Sequence, residues 1–150
     1  MQYEETENRG LEERLFSLVM DRCNRVRGLN TFGLKMTYLG NGTAGLKMVV
    51  GTEFSNAHGR THGGLVAAAL DTAIGVAVWT LGYDVVTLEM NLNYIAPVEV
   101  GDVVTCDGWV IHKGKTVVVG EGEMRDGNGK LMAKSRMTFY RVGELAGEDY

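Results

Sequence analysis

Residues Gly64–Leu81, GLVAAALDTAIGVAVWTL, decide the fold. The segment is rich in alanine and apolar nearly all round. A helix apolar on every face is a buried one. It is short for a bilayer span and is interrupted by Asp71, Thr72 and Gly75. The remaining elements must therefore cover it inside a soluble domain.

Upstream, residues 8–28 place Leu11, Leu15, Leu18, Val19, Cys23 and Val26 at helical spacing, with charges opposite. This predicts an amphipathic N-terminal surface helix. Phe32–Leu39 and Leu46–Phe54 read as strands. Asn41-Gly42 between them is a hairpin signal, because both residues tolerate positive φ. Downstream, Val85–Ala96 alternates, with Thr87, Glu89, Asn91 and Asn93 on one side and Leu88, Met90, Leu92 and Tyr94 on the other. Val103–His112 and Thr116–Met124 meet at Lys113-Gly114, and Lys130–Val142 follows the turn Asp126-Gly127-Asn128-Gly129. The order is helix, two strands, buried helix, four strands. It predicts an α+β architecture, an antiparallel sheet curved around one central helix. The chain reads as a single domain over 1–150, with its core at about 32–142 and a polar, frayed tail from Gly143 to Tyr150.

The chain has 150 residues, 45% hydrophobic and 23% charged, which suits one soluble globular domain rather than a disordered or fibrous chain. Fifteen basic against nineteen acidic residues give a net charge of −4, which argues against a dedicated nucleic-acid binder. Cys23 and Cys106 form no CxxC pattern, so neither a disulfide framework nor a zinc site is indicated. The acidic start MQYEETENRG lacks the features of a signal peptide or presequence, so a cytoplasmic location with no membrane partner is expected.

Three short patterns fail on context. Gly40, Gly42 and Gly45 satisfy G-x-G-x-x-G, but a strand pattern follows where a dinucleotide site needs a helix. Gly114-Lys115-Thr116 lacks the earlier glycine of a phosphate-binding loop, which would fall at Trp109. His58 and His62 are four apart, but Gly59 lies between them and no third metal ligand is evident nearby.

The stretch Asn56–Asp71, NAHGRTHGGLVAAALD, carries the chemistry. Gly63-Gly64 sits at the start of the buried helix, where backbone N–H groups are free and carry partial positive charge. Glycine there leaves a ligand oxygen unobstructed, as an oxyanion hole requires. Asp71 lies in an apolar helix, so its carboxylate must be paired, protonated or facing a cavity. That makes it a candidate base or nucleophile. Asn56 and His62 add polar groups just before the helix. Eight residues from Gly63 to Asp71 span about 12 Å of helix axis. One carbonyl cannot touch both within one chain. Either they serve different purposes, or a two-fold dimer sets Gly63 of one protomer against Asp71 of its partner.

These residues resemble the hotdog-fold acyl-CoA thioesterases, specifically the PaaI-like branch with its HGG motif. The family pattern is Asn, His-Gly-Gly six residues on, and an acidic residue nine after that His. Asn56, His62-Gly63-Gly64 and Asp71 match it. The likeness continues through Val86–Tyr94, Ala96-Pro97, Gly101-Asp102, Lys113–Thr116 and Gly129–Ala133, covering about Phe32 to Val142. The resemblance implies an enzyme that hydrolyses an acyl-CoA to a carboxylic acid and free CoA, without metal or cofactor. It implies that Gly63 N–H polarises the carbonyl and that Asn56 orients substrate or water. His62 would hold the loop at the thioester end. Asp71 of the partner subunit would be nucleophile or general base, with Thr87 steadying the water or the carboxylate. Lys113 and Lys115 are candidates for the CoA phosphates, ahead of Arg60. Gly64, Leu65, Ala68, Ala69, Thr72 and Tyr94 are candidate pocket residues, for an aryl or a medium-chain acyl group. A homodimer is the minimum that the site requires, and a homotetramer of two dimers is the family habit. Two alternatives stand beside this reading: a non-catalytic acyl-CoA sensor, which has no need of Asp71, and a hotdog dehydratase or hydratase, whose different motif this chain does not match.

Overall fold

The computed structural model describes residues 6–146. Seven strands form one sheet in the order β1-β2-β3-β5-β6-β7-β4. They are β1 Glu7–Arg9, β2 Lys35–Gly40, β3 Thr43–Val49, β4 Tyr83–Tyr94, β5 Val103–Lys113, β6 Val117–Arg125 and β7 Leu131–Glu144. Every pairing is antiparallel except β1 with β2. Three helices complete the described chain: α1 Glu13–Arg25, α2 Arg27–Phe32 and α3 Gly63–Trp79. Helix α3 is the central one, packed against β3, β4, β5, β6 and β7. This is the α+β arrangement expected from the sequence.

Glycine lets α3 lie this deep. A Cβ on Gly108 of β5 would fall 2.5 Å from the Ala73 carbonyl oxygen, and one on Gly122 of β6 would fall 2.8 Å from the Ile74 side chain. Helix backbone thus rests almost directly on strand backbone. Ala69, Ala73 and Ala77 on α3 are fully buried, as are Leu70 and Ile74. Each of the last two contributes about 1.5–3 kcal/mol by leaving water. Both cysteine thiols are also buried, and burial pushes Cys23 up to about 12.

The N-terminal segment departs from the expected single helix over 8–28. Residues 7–9 form a strand, and Asn8 closes a turn by accepting from Leu11 N–H at 2.8 Å, with Gly10 at φ +92°. The helix then breaks at Val26, which adopts extended angles (φ −75°, ψ 101°) between α1 and α2. Helix α2 takes residues 27–32 and ends at Gly33 in the left-handed region, so β2 begins at Lys35 rather than Phe32. The second expected strand is shifted as well: β3 spans Thr43–Val49, and residues 52–54 form one 3-10 turn.

Only Gly42 of the Asn41-Gly42 turn takes positive φ. The alternation expected in β4 is broken by a bulge between Thr87 and Glu89, which pair with Phe139 and Thr138 and leave Leu88 unmatched. Leu88 is therefore exposed, while Met90 and Leu92 are half-buried. The tail is ordered further than expected. Strand β7 runs to Glu144, and Leu145 is buried with its N–H on the Gly82 carbonyl; residues 147–150 lie outside the described residues. No described helix is long and apolar enough to cross a membrane.

Replacing Gly108 by alanine should cost about 1–3 kcal/mol, because neither backbone can yield without separating helix from sheet. The midpoint of urea unfolding measures this. An unchanged midpoint would show that the close approach is not required.

Candidate active site

The site begins where the chain turns into α3. His62 is extended (φ −63°, ψ 132°) and serves as the N-cap. Its Nδ1 accepts from Gly64 N–H at 2.9 Å, and its carbonyl accepts from Leu65 N–H at 3.0 Å. An accepting Nδ1 leaves the ring hydrogen on Nε2. His62 therefore takes up two donors of the first helical turn. The Gly63 N–H has no hydrogen-bond partner among the described residues. Tyr94 of β4 closes over this glycine. Its hydroxyl donates to the Gly63 carbonyl at 2.8 Å, and a Cβ on Gly63 would fall 2.9 Å from the same oxygen.

Asn56 organises the preceding loop. Its Oδ1 accepts from the backbone N–H of His58 at 2.9 Å and of Arg60 at 3.1 Å. Gly59 supplies the positive φ that the loop requires, +72°. The amide Nδ2 makes one long contact of 3.5 Å to the Thr61 carbonyl. Arg60 pairs with Glu99 at 3.2 Å. A cavity of about 570 Å³ opens here, lined among others by Asn56, Thr61, Gly63, Gly64, Tyr94 and Pro97. Thr61 went unnoticed in the sequence and has no motif to announce it. It is buried, and its hydroxyl is the one buried side-chain polar atom without a partner among the described residues.

Asp71 lies two turns further along α3, at a different cavity. Thr87 of β4 donates its hydroxyl to Asp71 Oδ1 at 3.1 Å. Burial pushes the Asp71 carboxyl above the usual range, and the Thr87 hydrogen bond offsets this only in part. The cavity has about 260 Å³ and shares no lining residue with the first. Thr72 borders it, as do Val26, expected on the apolar face of the N-terminal helix, and Leu29, which the sequence did not single out. The structure thus unites Asp71 with Thr87 and His62 with Gly63, and keeps the two pairs apart within one chain.

Three other expectations are corrected or qualified. Leu65, at 4% exposure, and Ala69, fully buried, belong to the core and border neither cavity. On a helix apolar all round, sequence cannot distinguish the face that meets the sheet from the face that meets a pocket. Ala68 borders neither cavity, and its carbonyl accepts from the Thr72 hydroxyl at 2.8 Å. Lys113 and Lys115 are exposed at the β5–β6 turn and line neither cavity. Lys113 Nζ lies 5.3 Å from the centre of the Tyr83 ring, and the Arg141 guanidinium lies 3.7 Å from it. Two of the short glycine patterns resolve as expected: Gly40–Gly45 lead into strand β3, and residues 114–116 connect two strands.

Comparison with known proteins places these features in a family. The thioesterase superfamily profile matches residues 58–133. A protein of Saccharolobus solfataricus carrying an esterase name is 36% identical over 109 residues, 71% of this chain and 77% of that one. The acyl-coenzyme A thioesterase PaaI of Escherichia coli is 28% identical over 123 residues, 82% of this chain and 84% of that one. The solved structure of E. coli PaaI superposes with a TM-score of 0.86, at 24% identity, covering 91% of this chain and 99% of that one. A Streptococcus mutans protein solved bound to acetyl-CoA superposes with a TM-score of 0.74, at 26% identity, covering 75% of this chain and 91% of that one. The wrapped central helix is thus the hotdog fold, and the chain belongs to the thioesterase superfamily as a PaaI-like thioester hydrolase.

Proposed function

We propose that this chain hydrolyses an aryl- or medium-chain acyl-CoA to a carboxylic acid and free CoA, in a two-fold dimer that joins Gly63 of one protomer to Asp71 of its partner. One observation carries this reading: the Gly63 N–H is the donor of the α3 N-terminus that His62 leaves unclaimed. A donor there, in the positive field of the helix start, stabilises the oxyanion that develops on a thioester carbonyl. The neighbour bound to acetyl-CoA supports the ligand class.

Asp71 supplies the other half. A carboxylate whose pKa burial has raised is a stronger base and nucleophile than an ordinary one. As a base it takes a proton from water while the oxygen attacks the carbonyl carbon. Collapse expels the CoA thiolate, and the proton passes to sulfur. As a nucleophile it displaces the thiolate directly, forming an acyl anhydride that water then opens. Both routes consume one water and yield one acid and one thiol. Thr87 holds the carboxylate, and the Asn56 amide Nδ2, with one long contact to the Thr61 carbonyl, is a donor for water or substrate. Lys113 and Lys115 receive the CoA phosphates.

The sheet edge favours the dimer. Strand β4 ends the sheet order over twelve residues, with Val86, Leu88 and Tyr94 exposed along it. A long apolar edge of this kind invites a second strand. Two such dimers give the homotetramer.

Thiol release from a panel of acyl-CoAs tests the reading. Asp71→Asn should lower kcat by about 10²–10⁴. A variant retaining a tenth of wild-type turnover would sink the assignment. The same variant should melt above wild type at pH 7. The raised carboxyl favours the folded state fully below the unfolded-state pKa, and this contribution is lost as pH rises through the folded-state value. The difference in melting temperature should therefore vanish below about pH 4.

Gly63→Ala keeps the N–H and adds only the Cβ that meets Tyr94, so it is the reference against which Gly63→Pro is read. Gly63→Pro adds that Cβ and also removes the N–H, at a helix position that tolerates proline after a residue already extended. It should cost about 10²–10³ in kcat. Randomly reassociated Gly63→Pro and Asp71→Asn protomers should recover about a quarter of wild-type activity, because half the dimers are mixed and each holds one intact site. No recovery in dimers shown to be mixed would place both groups in one protomer. Lys113→Ala with Lys115→Ala should raise KM for acyl-CoA several-fold, more at low salt than at high.

A further inference from the structure

We infer that the cavity beside Asp71 reads the size of the acyl group, with Gly75 holding it open and the α1–α2 junction closing it. The inference rests on the thioesterase reading and adds residues that the reading does not use.

Gly75 is the starting point. Glycine inside a helix is unfavourable relative to alanine. Elsewhere next to α3 a packing contact accounts for the glycine: a Cβ on Gly108 or Gly122 would strike the helix. Gly75 has no such reason. A Cβ there would meet only Phe139, at an ordinary 3.9 Å. The side chain is missing where the protein has room for one, and that room is the Asp71 cavity.

The walls match an acyl group. Apart from Asp71, Thr72 and Thr87, the lining is Val26, Leu29, Gly75, Val76, Trp79, Val85 and Phe139. A carboxylate at one side of an otherwise apolar chamber suits a ligand with one reacting carbonyl and a hydrocarbon body. The volume of about 260 Å³ exceeds the ~150 Å³ of an apolar cavity that holds benzene. It accommodates a ring-sized group such as phenylacetyl, and a dodecanoyl chain would need more of the same space.

The closing wall is the helix break. Val26 takes extended angles, and Leu29 is buried one turn on. The Arg22 guanidinium lies 4.8 Å from the Trp79 ring centre and pairs with Asp84 at 2.8 Å. This contact ties α1 to the end of α3 and the start of β4, and so fixes the wall.

The experiment compares kcat/KM for acetyl-, phenylacetyl- and dodecanoyl-CoA in wild type, Gly75→Leu and Leu29→Ala. Gly75→Leu should lower the phenylacetyl-to-acetyl ratio at least tenfold. Leu29→Ala, which enlarges the chamber, should raise the dodecanoyl-to-phenylacetyl ratio at least threefold. Ratios unchanged in both active variants would overturn the inference. If wild type turns over none of the three, the hydrolase reading fails on its own, and calorimetric titration with the same CoA esters decides the cavity. An affinity ratio that shifts with Gly75→Leu sustains the inference; an unshifted ratio overturns it.

Discussion

The structure depends on the contact of α3 with the sheet at Gly108 and Gly122. At Gly108 helix backbone approaches strand backbone more closely than any side chain would allow, and at Gly122 the Ile74 side chain fills the space a Cβ would take. This contact encloses the helix, and enclosure explains its composition: Ala69, Ala73 and Ala77 are fully buried together with Leu70 and Ile74. It also raises the cost of every polar group on α3. Besides Thr72, whose hydroxyl donates to the Ala68 carbonyl, two polar features persist. One is the helix start, where His62 takes up the Gly64 and Leu65 donors and leaves the Gly63 N–H unclaimed. The other is Asp71, whose carboxyl burial pushes upward.

Because α3 is rigid, it keeps these features apart. The Gly63 cavity and the Asp71 cavity have no residue in common. On the proposed reading, that separation is why the enzyme needs two copies: each chain carries both halves of a site, oriented away from one another. The apolar β4 edge supplies a surface for joining them. Tyr94 belongs to both arrangements, because it stands on that edge and its hydroxyl holds the Gly63 carbonyl.

The N-terminal helices bring a different kind of control. They precede the segment matched by the superfamily profile, yet Val26 and Leu29 border the Asp71 cavity. On the inferred role of that cavity, substrate size can change through residues that never touch the reacting bond. A break in a surface helix is a small structural device for this. It needs one residue in extended angles and one buried leucine.

Much of this was legible in the sequence, because it is local. The span of α3, the turn at Gly42 and the spacing of Asn56, His62, Gly63 and Asp71 follow from periodicity, from backbone preference and from a motif within sixteen residues. Sequence alone also placed Gly63 and Asp71 too far apart for one carbonyl, since helical rise is fixed. Tertiary structure decided what depends on distant partners. Thr87 meets Asp71 only because β4 crosses the helix there, and Leu88 turns outward because the bulge opposite β7 shifts its phase. Leu65 went to the core rather than a pocket because a helix apolar on all sides carries no mark of which face meets the sheet. The break at Val26 has no proline to signal it, and the nearby Gly28 falls inside α2 rather than at the break.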